Sequence, residues 1–290
     1  VTRQRWWRYK WVLEFDIKGL FDNIPHDLLL KAVHKHTDNP WVKLYINRWL
    51  TAPMQMPDGI LVNREKGTPQ GGVISPVLAN LFMHYVFDKW LQKHYPNNRW
   101  CRYADDGLVH CQSEAEAKEM LEVLRKRFAI CGLELHPLKT KIVYCKDGSR
   151  KGYYENTSFD FLGYTFTRRL CKNRKRNSMF VNFTPAISKE ALKSMRLKIR
   201  KLQVRRRSGL SIIQLANWLN PLIRGWMSYY GRYYKSALYG MCRHVNKVAV
   251  VSRSQKSLQL HFPTVFYRFF NEFLRLGFSY SLVSFTGRNE

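Results

Sequence analysis

The chain has 290 residues, of which 49 are basic and 21 acidic, for a formal net charge of +28. A composition 45% hydrophobic and 14% aromatic excludes a disordered chain and suits one large or two modest globular domains, and no apolar run reaches membrane-spanning length. A charge this large exceeds what solubility needs and implies a polyanionic partner. It is also uneven: residues 151–290 hold 26 of the basic side chains but 5 of the acidic ones. Acidic groups able to hold metal ions therefore belong to the first half, and the main polyanion-binding surface to the second.

Taken in order, Trp11 to Ile17 reads as a buried strand carrying Asp16. Residues 26–36, after Pro25, read as a short helix. A second helix is expected over 40–50, with Trp41, Leu44, Tyr45 and Trp49 on one face. Residues 51–66 read as a loop or hairpin turning at Asp58-Gly59. The Gly-rich stretch 67–74 leads into a helix to about Lys93, with Ser75 as its N-cap and Pro76 in its first turn. A hairpin follows at 99–111, with Asp105-Asp106-Gly107 read as its turn because glycine tolerates positive φ. Ser113-Glu114-Ala115-Glu116 is a capping box that opens a helix ending near Gly132. Leu133 to Tyr144 returns as strand, loop and strand.

This alternation predicts an α+β palm, an antiparallel sheet backed by helices, over residues 1–184. Two more strands are expected at 159–166 and 179–184, joined by a basic loop of Arg168, Arg169, Lys172, Arg174, Lys175 and Arg176. From 185 to 248 the pattern turns helical. Leu192, Met195, Ile199 and Leu202 form one apolar face, and basic residues including Arg196, Arg200, Arg205, Arg206 and Arg207 cover the rest. Further helices are expected at about 211–219 and 221–234, and 249–290 reads as a divergent tail. The six cysteines include no C-x-x-C pair and read as reduced thiols.

Asp16 at a strand end and Asp105-Asp106 at a hairpin tip converge if their strands are neighbours in one sheet. Carboxylates aimed at one spot are what two Mg²⁺ ions about 3.5–4 Å apart require for nucleotidyl transfer. Taken alone, Asp-Asp-Gly is an ordinary solvated turn. Phe21, five residues after Asp16, is either a core ring or a ring beneath the sugar of an incoming nucleotide, where it would collide with a 2′-hydroxyl. Gln70, flanked by glycine, has an amide suited to a nucleotide or template contact. Lys139 and Lys141 are either surface lysines or groups directed at a triphosphate.

Tyr103-Ala104-Asp105-Asp106, the Asp16 block, Gly67–Pro76, Gly132–Lys141 and Phe161-Leu162-Gly163-Tyr164 together resemble, in order, the palm blocks and primer grip of group II intron reverse transcriptases. Trp218–Trp226 and Tyr229–Tyr233 resemble the maturase segment of that family. The resemblance spans roughly 10–248 and implies RNA-directed DNA synthesis, with binding of a structured intron RNA to assist splicing. It implies metal ligation by Asp16, Asp105, Asp106 and the Ile17 carbonyl, with Mg²⁺ as the cofactor and Mn²⁺ as a substitute. It assigns a sugar gate to Phe21, nucleotide contacts to Gln70, Lys139 and Lys141, and primer contacts to Phe161, Leu162, Gly163 and Tyr164. Partners implied are intron RNA, an RNA template with a DNA primer, and deoxynucleoside triphosphates, with no membrane. The basic residues named above, with Arg224 and Arg232, are the expected RNA contacts. Trp218, Trp226, Tyr229, Tyr230 and Tyr233 are read either as helical core or as stacking platforms for unpaired bases. The family places finger blocks before the Asp16 block, so an N-terminally incomplete chain is expected, and no Cys/His nuclease pattern follows. The alternative is a catalytically incomplete fragment that acts only as an RNA-binding splicing factor. A bacterial cytoplasmic ribonucleoprotein is the expected setting, with an organellar one as the alternative.

Overall fold

The computed structural model describes residues 8–69, 71–173, 176–206, 210 and 212–251. Contacts divide the chain into two compact units, one through Pro185 and the other from Ala186 onward. In the first, β1 (Trp11–Phe15) is followed by α1 (Leu20–Asn23), α2 (His26–His34) and α3 (Pro40–Thr51). A small hairpin of β2 (Met54–Gln55) and β3 (Leu61–Val62) precedes α4 (Ser75–Met83), which passes through a π-turn at His84–Asp88 into α5 (Lys89–His94). Then come β4 (Arg99–Tyr103), β5 (Asp106–Cys111), α6 (Glu114–Ile130) and β6 (Lys141–Tyr144).

The main sheet has the order β4-β5-β1-β6, and its pairings are antiparallel. Strand alternation turns Trp11, Leu13 and Phe15 toward the helices and Val12 and Glu14 to the opposite face. Phe15 packs between Phe87 and Phe128, at ring-centroid distances of 5.1 and 5.7 Å. Leu78, Phe82, Met120 and Leu124 complete this core. The α+β architecture expected from the sequence is therefore present. The Ser113 cap forms as expected, its Oγ accepting from the Glu116 N–H at 3.1 Å, but the reciprocal bond is displaced by one residue: the Glu116 carboxylate accepts from the Gln112 N–H at 2.7 Å.

Several local expectations are corrected. The β4–β5 turn is Ala104-Asp105, because Tyr103 pairs with Asp106 and Gly107 lies within β5 opposite Phe15. Ala104 takes the left-handed conformation at φ 54°, and Gly107 is required for packing instead. Ser75 is not an N-cap: it is the first residue of α4, and its Oγ donates to the Pro69 carbonyl at 2.6 Å. On α3 the buried residues are Ile46 and Leu50, whereas Trp41, Tyr45 and Trp49 are exposed at 65, 48 and 46%.

A second sheet has the order β7-β8-β9, from β7 (Phe159–Phe161), β8 (Tyr164–Asn173) and β9 (Ser178–Ile187). The strands are longer than expected, so Arg168, Arg169 and Lys172 stand on β8 and not in a loop. Arg174 and Lys175 lie outside the described residues, as do Gln70, Arg207, the side chain of Arg205 and the tail from 252.

The second unit contains α7 (Lys189–Lys201), α8 (Ile212–Tyr230) and α9 (Tyr239–Val251). Helix α8 replaces the two helices expected there and carries Pro221 inside it. An internal proline removes a hydrogen bond and costs about 3 kcal/mol. The buried stripe Leu215, Leu219, Ile223 and Met227 continues across it at four-residue spacing and holds both halves to one core.

Candidate active site

The sheet topology brings the predicted carboxylates to one end. Phe15 pairs with Gly107, so Asp16, which follows β1, lies beside the β4–β5 hairpin that carries Asp105 and Asp106. Asp16 is only 6% exposed. Its carbonyl accepts from the His136 N–H at 2.8 Å, and the Lys18 N–H donates to the Glu134 carbonyl at 2.9 Å. These bonds flank an isolated bridge of Ile17 to Leu135, which leaves the Ile17 carbonyl on the other side of the chain.

The electrostatics tie the three acids together. The Asp106 carboxyl is pushed above its ordinary range, first by loss of hydration and then by the charges of Asp105 and Asp16, with Lys139 opposing. Three acids in one field are unfavourable when all are ionised, and that excess negative charge suits a divalent cation. Among the described residues no group of three His, Cys, Asp or Glu side chains is gathered closely enough to form a ready-made metal cage. The cation drawn into this field is Lys139, whose Nζ stands 2.6 Å from Asp16 Oδ2. The Asp16 carboxylate holds the Lys139 ammonium charged by raising its pKa, and Asp106 and Asp105 act in the same direction.

Lys141 is placed differently. It lies opposite Glu14 on β1, and its Nζ is 3.2 Å from Glu14 Oε2. Glu14 went unnoticed in the sequence, where one acid in an apolar strand has no distinguishing pattern. Burial pushes its carboxyl up to about 7 against the pull of Lys141.

Phe21 lies on α1, partly buried against the core. Its carbonyl accepts from the Thr68 N–H at 2.6 Å, and the Gly67 N–H donates to the Ile24 carbonyl at 2.8 Å. Gly67 has φ 81°, and a Cβ there would press on the carbonyls of Phe21 and Asp22 at 2.8 Å. The Gly67 block is thereby sewn to the segment that carries Phe21. Phe161 and Tyr164 pair across a two-residue turn in which Leu162 and Gly163 have φ 52° and 75°. Such paired left-handed residues match the twist of a tight hairpin.

In the second unit, Lys193, Arg196, Arg200 and Arg206 line a cleft of about 680 Å³ together with Leu197, Gln203, His244 and Val248. Arg224 and Arg232 are exposed, on α8 and just after it. No helix among the described residues is long and apolar enough to cross a membrane.

Residues 2–166 match the family described as reverse transcriptase (RNA-dependent DNA polymerase), and residues 192–252 match the group II intron maturase-specific domain. Protein YkfC of Escherichia coli is 30% identical over 199 residues, which cover 56% of this chain and 48% of YkfC. The uncharacterized 91 kDa protein in the cob intron of Schizosaccharomyces pombe is 26% identical, over 76% of this chain and 34% of its own. The group II intron-encoded protein LtrA of Lactococcus lactis is 38% identical over 87 residues, which cover 28% of this chain and 13% of LtrA. The chain thus spans half or less of the length of these relatives. Among solved structures, telomerase from Candida albicans, in complex with a fragment of telomeric RNA, has a TM-score of 0.46 at 12% identity, over 94% of this chain and 50% of that one. With the reverse transcriptase family matched over more than half of its length and the maturase-specific domain behind it, the chain belongs to the group II intron reverse transcriptase/maturases.

Proposed function

We propose that the chain catalyses RNA-directed DNA synthesis at Asp16, Asp105 and Asp106 and binds intron RNA to assist its splicing. The observation that carries this reading is the sheet register, in which Phe15 pairs with Gly107 and Tyr103 with Asp106, so that Asp16 lies beside the hairpin of Asp105 and Asp106. Those three side chains, with the Ile17 carbonyl, would hold Mg²⁺, or Mn²⁺ in its place. Bound there, the metal would neutralise charge on the attacking oxygen and on the departing phosphates. The protein's own contribution is to hold the acids in place before substrate arrives. The pairings of Phe15 with Gly107 and of Tyr103 with Asp106 set the register of Asp16 and Asp106, and Asp105 stands in the turn between β4 and β5.

Lys139 adds a positive charge beside Asp16, where it would meet a triphosphate. Lys141, paired with Glu14, is less suited to that role. Phe21, whose carbonyl accepts from the Thr68 N–H, would supply a bulky ring that excludes a 2′-hydroxyl. The primer would rest on the Phe161–Tyr164 turn. The basic cleft of the second unit suits A-form RNA, which proteins bind mostly through backbone and shape. The same reading places the chain in a cytoplasmic ribonucleoprotein.

The test is extension of a DNA primer on an RNA template with Mg²⁺. The chain is expected to incorporate deoxynucleotides in preference to ribonucleotides. A chain that binds RNA but extends no primer contradicts the polymerase reading and leaves an RNA-binding splicing factor.

A further inference from the structure

Asp105 and Asp106 stand at the tip of the β4–β5 hairpin. Strand β4 is an edge strand whose sheet neighbour is β5. The turn residue Ala104 sits in a left-handed conformation that a side chain disfavours. A side chain of β4 links this turn to the helical layer. Arg102, with 8% of its side chain exposed, donates from Nε and Nη2 to the two carboxylate oxygens of Asp88 at 2.8 and 2.7 Å. Its Nη1 donates to Asn80 Oδ1 at 3.0 Å and to the Ala104 carbonyl at 3.1 Å. A single planar guanidinium therefore joins α4 and the π-turn to the residue immediately before Asp105.

Asp88 reaches Arg102 from the end of the π-turn. One extra residue in a helical turn rotates everything after it by about 100°. The widened turn is itself held: Arg127 on α6 donates to the carbonyls of Val86 and Tyr85 at 3.0 and 3.4 Å, and its guanidinium lies 5.4 Å from the centre of the Trp90 ring. His84 Nδ1 stands 3.4 Å from the same Asp88 oxygen that Arg102 engages. A shielded ion pair is poor value as a source of stability alone, since desolvation offsets much of its attraction. A two-point arginine–carboxylate pair does define direction.

We infer that Arg102, held by Asp88 and Asn80 across the π-turn, is a positioning residue that sets where Asp105 and Asp106 stand relative to Asp16. The inference rests on the polymerase reading, and it concerns a residue that acts on the acids through Asp88, Asn80 and the Ala104 carbonyl. Lysine in its place would keep the charge but could not engage Asp88 at two points and the Ala104 carbonyl at once.

The experiment uses the full chain and the variants Arg102→Lys and Asn80→Ala. Hydrogen exchange is followed at the amides of residues 102–108 and, as an internal reference, along α6. Primer extension is measured against Mg²⁺ and against template–primer concentration. Asn80 is exposed, so its alanine variant keeps the fold and the test stands even if Arg102→Lys does not fold. The expected result is exchange about tenfold faster at the hairpin, with α6 unchanged. Extension by the variants should show a lower kcat and a higher Mg²⁺ requirement at unchanged KM for template–primer. Uniformly faster exchange, or unchanged exchange at the hairpin, would overturn the inference and leave Arg102 a stabilising ion pair. If the parent extends no primer, the polymerase reading fails. The exchange result alone then decides whether Arg102 holds the hairpin.

Discussion

Replacing Gly107 with alanine tests whether close packing of β5 on β1 holds the acids in place. A Cβ at Gly107 would overlap Cζ and Cε1 of the Phe15 ring and lie 2.6 Å from Cε2. Carbon atoms in ordinary contact are about 3.5–4 Å apart, so the ring or the strand must move by about 1 Å. The ring cannot retreat: Phe15 is 1% exposed and has Phe87 and Phe128 behind it. Overpacking of this kind costs about 1–3 kcal/mol, and the upper half of that range is expected for Gly107→Ala. Phe15→Leu leaves room for the methyl group at a cost of its own of about 1–2 kcal/mol. The double variant should then be more stable than the sum of the two by at least about 1 kcal/mol. Urea unfolding of the four proteins measures this, with unchanged slopes as the check that the denatured states match. Additivity within about 0.5 kcal/mol would refute the reasoning.

Glu14 makes stability depend on pH. Its folded pKa of about 7 exceeds the ordinary 4.5, so between those values the folded chain binds more protons than the unfolded one. Stability should fall as pH rises through that window, by at most about 3 kcal/mol. Glu14→Gln should lose that dependence and gain on the parent above pH 7; parallel pH profiles in urea would count against it. RNA binding should weaken about a thousandfold from about 50 to about 200 mM salt if some six phosphates are neutralised. Arg196→Ala with Arg200→Ala should flatten that slope, and an unchanged slope would remove the α7 cleft from the interface.

What could be read from the sequence follows from how local each determinant is. The Ser113 cap and the left-handed Gly59 and Gly132 were legible because their causes lie within a few residues. The acids were legible as a set through the family resemblance of the blocks that carry them, and their convergence depended on a strand order that the structure supplies. Gly107 was misread as a turn residue because its cause, the Phe15 ring, lies 92 positions earlier. The two helices expected at about 211–219 and 221–234 are one, because a buried stripe continues on both sides of Pro221. On α3, periodicity reveals an amphipathic pattern but not which side is covered, and Ile46 and Leu50 won over the larger aromatic face. The π-turn and the Arg102–Asp88 pair have no sequence signature, since both depend on contacts between elements that are distant in the chain.

The measurement that bears most directly on the central claim compares the parent with Asp105→Ala/Asp106→Ala in two assays on the same preparations: primer extension on an RNA template with Mg²⁺, and equilibrium binding of intron RNA. The account predicts that the double variant loses extension to background while its RNA affinity stays within about twofold of the parent, because affinity comes from phosphate contacts and not from the acids. Extension by the double variant at the parental rate would contradict it.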